Sequence, residues 1–188
     1  MFTDDEIKAD AETYQNDYLA VKGSNMVPGR NFAKCPYVVN TGANDAYVRI
    51  RVMIPHDGDV HNGGIINAMF CSSATSTGEF QHGANGVNWP DVEMSAYTDN
   101  KGLKYDVYTF TRNEPLKAGA MTEWNVWNFV GIGKNVTSAD IEKAIENGVI
   151  TKADNGALTL NVLVQADAIQ AEGFADATAA WKAFAAQK

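Results

Sequence analysis

From Asp45 to Pro55 the side chains alternate one for one, with Val48, Ile50 and Val52 pointing one way and Tyr47, Arg49 and Arg51 the other. A two-residue period belongs to extended chain, so this stretch predicts a strand with one face in a core and one in water. The same period runs through Lys104–Thr111, where Tyr105, Val107, Thr109 and Thr111 alternate with Lys104, Asp106, Tyr108 and Phe110. Shorter strands are predicted at Tyr37–Val39, Val92–Tyr97 and Glu123–Ile132, and another where Leu158, Leu160, Val162 and Val164 alternate with Thr159, Asn161 and Leu163. Turn chemistry separates them. Pro28-Gly29 suits a type II turn, Asn40-Thr41-Gly42 ends a strand, and Glu114–Gly119 divides two more. His56–Gly64 reads as a polar, Gly-rich loop and residues 72–88 as a long surface loop.

A 3.6-residue period appears in two places. Thr137–Gly148 predicts a helix capped by Ser138 or Thr137, with Ile141, Ala144 and Ile145 as its apolar stripe and Gly148 at its end. An Ala-rich helix from about Asp176 closes the chain, with Trp181 and Phe184 on one side. The first 24 residues carry both periods. Ile7, Ala9, Ala11 and Thr13 alternate like a strand, whereas Ile7, Ala11, Tyr14 and Tyr18 share a helical face behind a Thr3-to-Glu6 capping box. Propensity favours a helix from about Asp4 to Tyr18, and the strand reading stays open beside it. Seven or eight strands with two or three short peripheral helices, in no regular alternation, predict a mainly all-β fold, an antiparallel β-sandwich. The division is an N-terminal segment, residues 1–24, and one domain, residues 25–188.

With 188 residues, 45% of them hydrophobic, the chain can build one core. No apolar run reaches the roughly 18 residues that cross a bilayer. A net charge of −8 repels phosphate backbones and anionic lipid, so neither nucleic acid nor membrane is an expected partner. Two cysteines, Cys35 and Cys71, are too few for a tetrahedral zinc site; they are one disulfide or two unrelated thiols. No signal peptide is recognisable after Met1.

Catalytic chemistry has little to stand on. His56, Asp57, Asp59 and His61 are the one metal-like run, with His82 further along. Imidazole and carboxylate together suit a divalent ion, but Asp and Gly after a strand are expected on conformational grounds alone, and the solvated-loop reading is the commoner one. There is no His-Glu-x-x-His, no Gly-x-Ser-x-Gly and no phosphate-cradling glycine loop. Trp124, Trp127 and Phe129 on one strand are more often core than ligand platform. Trp89 is the candidate for an exposed sugar-binding aromatic. Asn135-Val136-Thr137 matches a glycosylation acceptor.

Three stretches together resemble the TasA/camelysin family of secreted bacterial proteins. Met26–Arg30 with Ala33–Arg49 is similar to that family's turn and strand pair ending in Asn-Asp-Ala-Tyr-Val-Arg; Leu116–Gly119 precedes an aromatic strand; and Ala166–Trp181 is similar to the closing strand and helix. Phe2-Thr3-Asp4 resembles the start of the mature form. The resemblance implies a jelly-roll sandwich, export with the signal peptide removed, and an extracellular structural role in biofilm-matrix or cell-surface fibres. There the N-terminal segment of one subunit adds as a strand to the next, and the partners are copies of the chain, head to tail, with other matrix components. It places subunit contacts on Phe2, Ile7, Ala9, Ala11, Thr13, Tyr14, Tyr18, Leu19 and Val21, with Ile7, Ala9, Ala11 and Thr13 facing inward if the segment docks as a strand. Glu12–Val21 is more polar than the family's apolar segment there. No cofactor is implied. Camelysin is described as a metalloprotease, which supplies a rival class, a metal-dependent peptidase using His56, Asp57, Asp59 and His61. A monomeric sugar-binding adhesin is the third reading.

Overall fold

The computed structural model describes residues 2–3, 31–33, 37–56, 89, 92–122, 129–131 and 136–187. Among these the elements are β1 (Phe2–Thr3), β2 (Asn31–Ala33), β3 (Tyr37–Val38), β4 (Ala46–His56), β5 (Val92–Thr98), β6 (Lys104–Thr111), β7 (Phe129–Gly131), α1 (Ser138–Glu146), β8 (Ile150–Lys152), β9 (Leu158–Leu160), β10 (Leu163–Gln170) and α2 (Ala177–Ala185). The fold is mainly β, and every described strand pair is antiparallel.

The alternation that predicted β4 and β6 is what pairs them. They are the two central strands of a four-stranded sheet in the order β10-β4-β6-β5. Directly paired residues share a face, so Ile50 lies beside Phe110 and Val52 beside Tyr108. This inner face is the core. Val48, Ile50, Val52, Phe110 and Tyr108 pack with Val38 of β3, Leu116, Val136, Ala144 of α1, Val149 and Ile150 of β8. Two-stranded pairs β1-β3, β2-β7 and β8-β9 complete the described strands.

Three expectations are corrected here. The face of β4 assigned to water is covered: Tyr47 is buried, and the Arg49 and Arg51 side chains are only 20% and 21% exposed. On the same face Tyr105, Val107 and Thr109 of β6 are buried too. Leu158–Val164 is not one strand. The chain folds tightly at Asn161, where Val162 N–H donates to Leu160 C=O at 2.9 Å, and the Asn161 side chain donates to Gly148 C=O at 3.0 Å. This tether separates β9 from β10. Trp89, read as an exposed aromatic, is fully buried.

Both helices begin where their caps require. Thr137, rather than Ser138, caps α1: its hydroxyl accepts from Asp140 N–H, while Asp140 Oδ2 accepts from Thr137 N–H at 2.8 Å. The Thr137 N–H and then the Thr137 hydroxyl, which donates to Asp140 Oδ2 at 2.7 Å, hold the Asp140 carboxyl below its ordinary value. Asp176 caps α2 by accepting from Ala179 N–H at 2.8 Å.

Candidate functional site

Among the described residues the sheet ends at β10, and the layer there is thin. Ala171 N–H donates to Asp45 C=O at 2.8 Å and so sets which β10 residues bond to β4. Counting back in steps of two, Ile169, Asp167, Gln165 and Leu163 face β4, while Val164, Ala166, Ala168 and Gln170 turn their backbone groups outward. Among the described residues those outward groups have no partner. The inner-face side chains of β10 lie beside a fully buried row on β4, yet Val164 and Ala166 are half-buried and Ala168 is exposed. The core therefore thins out at this edge.

Beside it lies a groove of about 280 Å³, with Ala166 and Ala168 on one wall, Val38 and Val39 on the other, and Ala46 and Val48 between. Small side chains leave this space. Its rim is fixed by Asn40, whose side chain donates to Asn44 C=O and Leu116 C=O at 2.9 and 3.0 Å and accepts from Gly42 N–H at 3.0 Å. A Cβ on Gly42 would come within 3.2 Å of that Asn40 oxygen, so glycine suits the turn. On the far side of β3, Thr122 N–H donates to Val38 C=O and Thr122 Oγ1 accepts from Val38 N–H, both at 2.9 Å. Both Val38 backbone groups point that way, which leaves the other edge of β3 to β1: Phe2 pairs with Val38 and Thr3 with Tyr37. The chain's first residues are thus in strand form against the strand that lines the groove.

The back of β10 is held by charge. Asp167 accepts from Arg49 Nε at 2.8 Å and from Arg51 at 3.1 Å, and Gln165 donates to it at 3.2 Å. Burial pushes the Asp167 carboxyl up, but the hydrogen bonds from Arg49 and then Arg51 outweigh it, and its pKa lies below the ordinary carboxylate value. The Arg49 guanidinium sits 4.4 Å from the Trp181 ring centre and 5.1 Å from that of Phe184, so α2 lies over this face. Where the chain enters β4, Asp45 accepts from Lys117 Nζ at 2.6 Å and from Ala118 N–H at 3.1 Å.

Of the residues assigned to subunit contact, only Phe2 is described; Ile7, Ala9, Ala11, Thr13, Tyr14, Tyr18, Leu19 and Val21 lie outside the described residues, as do Cys35 and Cys71. In the metal-like run, Asp57, Asp59 and His61 also lie outside them. His56 does not open a solvated loop: it ends β4 and is buried, its Nε2 3.8 Å from Asp106 Oδ1. Neither ring nitrogen of His56 has a hydrogen-bond partner among the described residues, and no group of three or more His, Cys, Asp or Glu gathers among them. The β10 edge escaped sequence reasoning, although Ala166-Asp167-Ala168 carried the signal of a strand too small to fill its own layer.

Among the described residues no helix is long and apolar enough to cross a membrane. Set against family models, curated proteins and solved structures, the chain matches none.

Proposed function

We propose that this protein is an extracellular structural subunit without catalytic turnover, a jelly-roll sandwich that joins copies of itself head to tail into matrix or cell-surface fibres. The N-terminal segment of one copy adds as a strand to the next. The observation that carries this reading is a thin sheet edge at β10 in a chain whose Phe2 and Thr3 are in strand form against β3. β10 offers backbone groups that have no partner among the described residues and a thin apolar layer beside a groove, and Phe2–Thr3 pairs with β3 at that groove's wall. An extended segment with small apolar residues at every second position supplies main-chain hydrogen bonds and fills such a layer. Ile7, Ala9 and Ala11 have that spacing. The same surface meets a different surface on its neighbour, so the contact does not close and a filament results. The sequence resemblance to secreted matrix-fibre proteins points the same way.

The test is negative-stain electron microscopy of concentrated protein beside a form lacking residues 2–21. Filaments from the full chain alone are the expected result; filaments of unchanged structure from the truncated form would sink the reading. The sugar-binding alternative has lost Trp89 as its platform. The peptidase alternative is tested by metal content and by cleavage with and without chelator.

A further inference from the structure

We propose that Asn155, at the tip of the β8–β9 hairpin, is a site of spontaneous backbone modification. Its side chain closes to a cyclic imide with loss of ammonia, and water opens the imide to aspartate or isoaspartate. This does not depend on the fibre reading. Among the described residues Asn precedes Gly twice, at Asn147-Gly148 and Asn155-Gly156. Glycine lacks the Cβ that would shield its amide nitrogen, so that nitrogen can reach the carboxamide before it. The two sites share one dipeptide and differ in how the fold holds it.

Asn147 is the C-cap of α1, and its glycine is clamped. Gly148 N–H donates to Ile145 C=O at 3.0 Å, and Gly148 C=O accepts from the Asn161 side chain at 3.0 Å. The next residue, Val149, is fully buried, and its N–H donates to Ala144 C=O at 2.9 Å. Turning the Asn147–Gly148 peptide toward its side chain therefore disturbs the helix end and pulls on the core. Asn155 has no such neighbours, since every residue from Thr151 to Thr159 is exposed. Its loop closes where Ala153 N–H donates to Ala157 C=O and Gly156 N–H to Ala153 C=O, both at 2.8 Å, with Gly156 at a φ of 82°. Opening this tip breaks exposed hydrogen bonds and no core contact, so it lies at the low end of the protein's local stabilities.

The tip also aims the reacting group. Asn155 Oδ1 accepts from Ala157 N–H at 3.0 Å, which folds the carboxamide back across the Gly156 peptide. That N–H draws charge toward Oδ1, where the negative charge of the addition step collects. Once hydroxide has taken its proton, the Gly156 nitrogen bonds to Asn155 Cγ. The Cγ–Nδ2 bond then breaks, and Nδ2 takes up a proton and leaves as ammonia. Water attacking Cγ restores the ordinary main chain and gives aspartate. Water attacking the main-chain carbonyl leaves the chain running through the side chain, which is isoaspartate. Either product adds a negative charge beside Asp154 to a chain already at −8. Isoaspartate also puts one more carbon between Ala153 C=O and the Gly156 N–H that the turn brings to it. The hairpin that is loosened carries Ile150 of β8 into the core.

The test incubates the full, unaltered chain in warm, mildly alkaline buffer, once folded and once in urea. Peptide mapping follows both Asn-Gly pairs, reading the mass gain from amide to acid and separating isoaspartate from aspartate. In the folded chain Asn155 should convert about tenfold faster than Asn147, and in urea the two rates should converge. Equal rates in the folded chain, or a faster Asn147, would overturn the proposal. So would a preference for Asn155 that urea leaves unchanged, because it would owe nothing to the fold. Ala157→Pro removes the N–H on Oδ1 and neither of the bonds that close the loop. It should slow Asn155 about threefold, the worth of one exposed hydrogen bond, and leave Asn147 unchanged. An unaltered Asn155 rate in that variant would overturn the role given to the Ala157 N–H.

Discussion

The two outer strands of the sheet both carry backbone groups without a partner among the described residues, but they differ in what surrounds them. β10 is anchored behind by two arginines on Asp167 and by α2 across Arg49, and its inner face borders a groove. β5 has neither support, and six of its residues are exposed in succession, Glu93 to Thr98. A free edge alone does not decide what an edge strand accepts. A strand that is backed on one face and hollow on the other calls for an insert of particular shape. A strand bare on both faces sets no such shape.

The largest expected effect comes from removing what makes β10 different. Asp167→Ala leaves Arg49 and Arg51 mostly covered with their shared acceptor gone, and should cost about 2–4 kcal/mol in urea unfolding. Helix capping supplies a control away from both edges. Thr137→Ala should cost about 1 kcal/mol and leave filament formation unchanged.

Acid separates the edges more gently. The folded pKa of Asp167 is depressed, so its contribution is complete above the unfolded value of about 4 and is lost as pH falls through the folded value. The melting temperature of the unaltered chain should therefore drop below about pH 4, and Asp167→Asn should flatten that drop. The smallest effect on stability is expected from Ala168→Pro, which deletes an outward N–H of β10 and no bond to β4. Urea unfolding should move by no more than about 0.5 kcal/mol, whereas filaments joined through this edge should fail. Unimpaired filaments would detach the β10 edge from assembly.

How much of this was legible follows the range of the forces involved. β4 and β6 were readable because a strand buried against a core writes its period into adjacent residues. α1 and α2 were readable because their caps lie within three residues of the groups they satisfy. The failures were all long-range. Arg49 and Arg51 read as solvated until Asp167 and Trp181 arrive from more than a hundred positions away. Leu158–Val164 keeps its alternation straight through the tether that Asn161 makes to Gly148. His56 reads as the first residue of a polar loop, but the β4–β6 ladder continues to its pairing with Lys104 and draws it inward. The groove at β10 was hidden for the same reason: its two walls meet only in the folded chain.

The pairing of β10 with β4 also sets an order of events. β4 and β6 are about fifty residues apart and can meet while the chain is still being made, but Asp167 joins Arg49 across 118 residues. Contacts of such separation form slowly and late. On a ribosome β10 emerges long after β4 and β6, and α2, which backs it, emerges later still. A half-made chain consequently holds β4 with one edge still open, and only the arrival of Asp167 gives Arg49 and Arg51 the acceptor they share.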